Sequence, residues 1–147
     1  HIGVSVAGAP IGSLLLQVIR AHARVGTELL NNVGLAPPHE LVLLYLDAHG
    51  AVPQTELVHY MGRDRSTVTA TLQAMERAGL ITRTRSPLDK RAMIVQITPK
   101  GRDAVPLALA AWHELERRTT RNLTESQKAE LMTALVAVRD ALNETNE

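Results

Sequence analysis

The 147-residue chain contains no cysteine and no phenylalanine, and its aromatic rings besides histidine are Tyr45, Tyr60 and Trp112. Without cysteine there are no disulfides, no thiolate metal sites and no thiol-based redox sensing. Without phenylalanine the core must be built from Leu, Val, Ile, Ala and Met, a set that suits helices. Long apolar runs are missing as well. Residues 2–19 carry no charge, but Gly3, Ser5, Gly8, Pro10, Gly12, Ser13 and Gln17 interrupt them and no basic segment precedes them. The stretch reads as a loose start followed by an amphipathic helix, not as a membrane span or signal peptide. A cytoplasmic protein with no membrane partner is the expectation.

What is present is charge, unevenly placed. The chain is 45% hydrophobic and 21% charged, with a net charge of +1, ordinary values for one soluble globular unit. Residues 63–102, however, hold nine Lys/Arg against three Asp/Glu, while the remainder holds seven against twelve. A basic middle in an acidic frame points to one surface that faces a polyanion.

Periodicity organises the chain into helices with one hairpin. Ile11, Leu15, Val18, Ile19, His22, Val25 and Leu29 fall on one helical face, and the Asn31-Asn32-Val33-Gly34 stretch ends that helix. Pro37-Pro38 can open a second helix, for which Leu41, Leu44, Tyr45 and Ala48 form the expected buried side. A short helix after Pro53 turns Leu57, Val58 and Met61 inward and closes at Gly62. Asp64 caps the next helix, with Val68, Leu72 and Met75 as its inner stripe. Two helices joined by so tight a turn are a helix-turn-helix. Ile81–Arg85 and Ala92–Thr98 then read as strands separated by the Pro87 turn. Thr98-Pro99 starts a fifth helix carrying Leu109, Trp112, Leu115 and Glu116, which Pro106 should kink or delay. Thr124-x-x-Gln127 is a capping-box pattern, followed by an apolar seam of Leu131, Leu135, Val138 and Leu142.

The chemistry concentrates in the middle. With its apolar stripe inward, the helix from Asp64 presents Arg65, Ser66, Thr67, Thr69, Ala70, Gln73 and Arg77 outward, and Arg63 stands in the turn before it. Short hydroxyls and an amide can approach base edges without blocking a groove. In the hairpin, Arg83, Arg85, Lys90 and Arg91 crowd the tip and flanks, where they can meet phosphates or enter a narrow minor groove. Asp89 is suited to accept hydrogen bonds from one guanidinium and aim it, with Arg91, Arg83 and Arg85 as candidates.

Glu56-Leu57, Arg65-Ser66-Thr67-Val68-Thr69, Glu76-Arg77-Ala78-Gly79-Leu80-Ile81, Arg83, Pro87-x-Asp89-x-Arg91 and Ile97-Thr98-Pro99-Lys100-Gly101 together resemble the core of the MarR family of winged helix-turn-helix regulators. The motifs span about residues 35–101, and the helix order extends the resemblance along nearly the whole chain. It implies a mainly α fold with a small β-hairpin wing, divided into an N-terminal segment and dimerisation helix (1–34), a winged DNA-binding domain (35–100) and C-terminal dimerisation helices (101–147). It also implies a homodimer on double-stranded, pseudo-palindromic DNA, acting as a transcriptional repressor released by a small effector, commonly aromatic or phenolic. Independently, the apolar stripes of the terminal helices exceed what a winged domain of roughly 65 residues could cover. Three residues depart from the family pattern: Ala70 stands where many relatives are basic, Pro53 takes a position usually held by a hydroxyl cap, and Pro106 interrupts a helix.

Other chemistry finds little support. His39-Glu40, His49, His59 and His113 include no i,i+4 histidine pair, so neither a metal nor another cofactor is expected. No nucleophile triad, phosphate loop or close carboxylate pair suggests an enzyme. His22, Arg24, Tyr45 and Trp112 are the distinctive side chains for an effector pocket. A winged-helix module that binds an acidic protein partner is the alternative reading of the basic surface.

Overall fold

A computed structural model describes residues 3–144. Its elements are α1 (Pro10–Asn32), α2 (His39–His49), β1 (Val52–Pro53), α3 (Gln54–Met61), α4 (Arg65–Arg77), β2 (Ile81–Arg85), β3 (Met93–Ile97), α5 (Pro99–Thr120) and α6 (Glu125–Glu144). They form two compact units, one running up to Leu115 and one from Glu116 onward.

In the first unit, Leu30, Leu35, Val42, Leu43, Leu46, Leu57, Val68, Leu72, Met75, Ile81, Val95 and Val105 build one continuous core. The inner stripe of α4 is the expected one: Val68, Leu72 and Met75 are fully buried. The hairpin also forms as expected, antiparallel, with Ile81 opposite Ile97, Arg83 opposite Val95 and Arg85 opposite Met93. A third strand joins it. β1 pairs Val52 with Val95 and Pro53 with Ile94, giving the order β1-β3-β2. Two residues carry too little pattern to announce a strand, and the proline is tolerated because β1 lies at the sheet's edge.

Two expectations need correcting. The buried side of α2 is Glu40, Val42, Leu43 and Leu46, not Leu41, Leu44, Tyr45 and Ala48. Its run Leu41-Val42-Leu43-Leu44-Tyr45-Leu46 is apolar all round, so periodicity had no polar face by which to orient the helix. Pro106 does not delay α5, which is continuous from Pro99; the proline sits on an exposed side. Inward residues of α5 include Gly101, Val105, Ala108 and Ala111, whereas Leu109 is exposed. Much of the apolar face of α1 is uncovered in the single chain: Ile11, Val18 and Ile19 of the expected stripe, with Leu14 beside them, are all at least half exposed.

Local chemistry explains the joints. Gly62 ends α3 with φ +64°, a left-handed conformation that glycine adopts without a Cβ clash. The Thr98 hydroxyl donates to the Gly79 carbonyl at 2.6 Å and accepts the Gly101 N–H at 3.1 Å, so one side chain caps α5 and ties it to the end of α4. A Cβ on Gly101 would run into the Leu80 carbonyl and the side chains of Ile97 and Leu43.

In the second unit, the capping box forms as expected. The Gln127 N–H donates to Thr124 Oγ1 at 3.1 Å and the Thr124 N–H donates to Gln127 Oε1 at 2.9 Å. No residue of α6 is buried; Leu131, Met132, Leu135, Val136, Val138 and Leu142 are all exposed.

Gly101→Ala should destabilise the protein by about 1–3 kcal/mol, the usual cost of forcing extra volume into a packed site. Chemical denaturation measures it, and an unchanged midpoint would mean that α5 does not sit this close to Leu80.

Candidate nucleic-acid interface

The interface candidate starts at the α4 N-terminus. Asp64 accepts the Thr67 N–H at 3.0 Å and both the Ser66 and Thr67 hydroxyls. Those hydroxyls, then the backbone N–H, hold its carboxyl well below the usual carboxylate range. The cap thereby commits the hydroxyl protons of Ser66 and Thr67, two of the predicted base readers, and leaves their lone pairs as acceptors. Thr69 is half-buried, and its hydroxyl accepts Gln54 Nε2 at 3.2 Å. Arg63, Arg65, Ala70, Gln73 and Arg77 are exposed on this side of the molecule.

The hairpin divides its cations into two kinds. Alternation along β2 places Arg83 on the same face as Ile81, opposite buried Val95. Its side chain is only 13% exposed, and it donates to Gln54 Oε1 at 3.2 Å and Glu76 Oε1 at 3.3 Å. Arg83 is therefore an internal brace joining β2 to α3 and α4, while its Nε remains buried without a partner. Arg85, Lys90 and Arg91 are exposed. Arg85 Nη1 donates to the Lys90 carbonyl at 2.6 Å across the turn.

Asp89 resolves in favour of its near neighbour. It accepts the Arg91 N–H at 3.0 Å and stands 3.8 Å from Arg91 Nε. Its first contribution is to the turn's backbone; the ion pair is long and solvated, and such pairs contribute little. Arg91, Asp89 and Arg65 line one groove of about 400 Å³ together with Pro53, Gln54 and Thr55 at the start of α3. Wing and α4 thus bring two guanidinium-bearing residues to a single groove beside a helix N-terminus, an arrangement suited to a phosphate backbone.

The residues proposed from sequence for an effector pocket separate. His22 and Trp112 line a cavity of about 190 Å³, together with Gly26, Leu30, Leu41 and Glu40, whereas Arg24 and Tyr45 do not. Tyr45 instead donates to Glu56, stacks on His49 and lies against Tyr60 with the rings tilted by 38°. Glu40 was weighed from sequence only beside His39 as a metal ligand, and was missed as a cavity residue because the apolar run of α2 gave no sign of which side turns inward. Gln54 was missed because it carries no charge; the alternation in Ile81-Thr82-Arg83 could have exposed Arg83 as a residue that needs such a partner. Among the described residues, no three His, Asp or Glu side chains gather as metal ligands would, and no helix is long and apolar enough to cross a membrane.

A helix-turn-helix followed by a two-stranded wing, with cations on both, defines a winged-helix DNA-binding fold. The MarR family profile matches residues 35–93. The transcriptional repressor IacR of Pseudomonas putida is 30% identical over 122 residues, which is 81% of this chain and 73% of that protein. The organic hydroperoxide resistance transcriptional regulator of Bacillus subtilis is 34% identical over 88 residues, 60% of each chain. A mutant MarR from E. coli, solved in complex with operator DNA, superposes with a TM-score of 0.83 at 24% identity, covering 91% of this chain and 99% of that one. The chain belongs to the MarR family of DNA-binding transcriptional regulators.

Arg83→Ala should cost about 1–3 kcal/mol, because Gln54 and Glu76 lose a charged donor in a half-buried site. A double-mutant cycle with Glu76→Ala, read by chemical denaturation, checks it; additive effects would remove the brace.

Proposed function

We propose that the protein is a homodimeric repressor that reads a pseudo-palindromic operator with α4 and the wing and leaves it when a small molecule binds. One observation carries the DNA-reading part: Arg65 of α4 and Arg91 of the wing line a common groove. In this reading that groove seats the phosphate backbone, Gln73 and Ala70 face the base edges, and Arg85 and Lys90 extend along the neighbouring minor groove. Ser66 and Thr67 take part as acceptors, since their protons are engaged by Asp64. Ala70 contributes an apolar surface suited to a thymine methyl, where a basic residue would call for guanine.

Dimerisation is supported by the uncovered apolar faces. α1 and α6 each keep a row of exposed aliphatic side chains, and such rows are stable in water when another surface covers them. A two-fold dimer predicts half-sites about one helical turn apart, roughly 34–36 Å between the two copies of α4. IacR is a repressor, and repression is carried to this chain on that likeness. Release by an effector requires that the ligand bind the DNA-incompetent arrangement more tightly than the competent one.

Gel shifts with the protein's own upstream region test the reading. Arg91→Ala should weaken specific and nonspecific binding alike and make the salt dependence shallower by about one unit. Gln73→Ala should change the preferred operator by about 1–3 kcal/mol at one base pair. No shift at low salt, or a shift with no sequence preference, would turn the basic surface over to an acidic protein partner. For the dimer, Leu135→Glu should lower the sedimentation mass toward that of one chain; an unaltered mass would take α6 out of the interface.

A further inference from the structure

We infer that the cavity between α1, α2 and α5 receives a compact apolar amine, with its N–H donor on Glu40. The inference rests on the effector reading above for its regulatory meaning, but the cavity's own chemistry carries the ligand class. Its volume is about 190 Å³, and an emptied apolar site of ~150 Å³ in another protein takes benzene. One aromatic ring carrying or fused to a small saturated group therefore fits.

Apolar side chains and backbone dominate the walls, and no lysine or arginine is among the lining residues. The exception is Glu40, only 2% exposed. Its Oε2 accepts Trp112 Nε1 at 3.1 Å, while Oε1 is buried with no hydrogen-bond partner. A buried acceptor without a donor is costly. Glu40 lines the cavity, so a turn of its carboxylate that presents an oxygen to a ligand N–H removes that cost while the ligand fills apolar space.

The sign of the charge follows. Burial, the largest influence, holds the Glu40 carboxyl above its ordinary value against the smaller downward pull of the Trp112 indole and the backbone N–H groups of Glu40 and Leu41, so the site lacks a partner for the ionised form. An ammonium group would favour the ionised form and pair with it where solvent screening is weak. A carboxylate or phenolate would instead set a second anion beside Glu40, with no lysine or arginine in the lining to meet it. Trp112 supplies an aromatic wall that favours cations further. His22, the other titratable lining residue, lies 5.9 Å from the Trp112 ring and can accept a hydrogen bond as neutral imidazole.

Trp112 is the chain's single tryptophan, so its fluorescence reports this cavity directly. Three probes of one shape separate the classes at neutral pH: 2-aminoindane, indane and indane-2-carboxylate. The expected result is a saturable change in Trp112 emission with 2-aminoindane, at least about tenfold tighter than with either of the others. In Glu40→Leu the amine should lose that advantage over indane. Should that variant fail to fold, Glu40→Gln and the ranking on the unaltered protein decide. Carboxylate binding that equals or exceeds amine binding overturns the inference, as does the absence of any Trp112 response to all three. Gel shifts run with the same probes keep the two readings apart. Saturable amine binding without operator release sinks the effector reading and leaves the site; release without a Trp112 change sinks the site and leaves the effector reading.

Discussion

The Arg83 guanidinium, bound between Gln54 and Glu76, is the contact on which the winged half of the molecule depends. A two-stranded hairpin is only marginally stable alone, and a wing must hold its angle to the helix beside it. Arg83 sets that angle by entering the core side of the sheet instead of pointing to solvent. Gln54 then passes the constraint to Thr69 on α4. Hairpin, α3 and α4 are thereby locked as one body, and the exposed cations inherit fixed separations. The arrangement has a cost, since Arg83 Nε is buried without a partner. The two remaining bonds, at 3.2 and 3.3 Å, are long but charge-assisted, and together they offset part of that cost.

With one cation spent on architecture, the others are left to solvent and to whatever anion approaches. Arg65, Arg85, Lys90 and Arg91 are exposed, and long-range attraction to a polyanion needs them so. Asp89 limits the disorder of this cluster: it holds the turn through the Arg91 N–H and keeps one guanidinium nearby. An acid within a basic loop weakens the net field slightly. In exchange the Asp89 bond to the Arg91 N–H holds the turn's backbone, and less backbone ordering entropy is lost on binding.

Most of this fold was legible because its local signals agree. Asp64, Gly62, Thr98-Pro99 and Thr124-x-x-Gln127 act as the punctuation their chemistry suggests. The failures share one cause, which is that a local pattern lost to a long-range one. α2 is apolar on every side, so only the assembled core could choose its inner face. β1 is two residues long and exists because β3 offers it an edge. Arg83 was grouped with Arg85, Lys90 and Arg91 by charge; alternation puts Arg83 and Arg85 on one face of β2, and only Gln54 and Glu76, from α3 and α4, mark Arg83 as internal. Of the residues assigned to an effector pocket, His22 and Trp112 share a cavity, whereas Tyr45 was taken up by Glu56.

α2 is the element through which the cavity and the winged helix-turn-helix meet. Its first turn carries Glu40 on the cavity wall. Its middle buries Leu43 and Leu46 in the core that also contains Val95 of the wing and Leu57 of α3. Its Tyr45 hydroxyl reaches Glu56, two residues after Gln54. A displacement of α2 therefore has short, packed routes to both partners of the Arg83 brace, and close-packed interiors transmit such shifts instead of absorbing them. Contiguity alone, however, regulates nothing. A ligand gains leverage only to the extent that it binds one position of α2 more tightly than another, with about 1.4 kcal/mol of difference for each tenfold change in operator affinity. A buried acceptor that lacks a donor in the unliganded chain is a natural source of such a difference, because satisfying it changes the energy of the helix end that carries it.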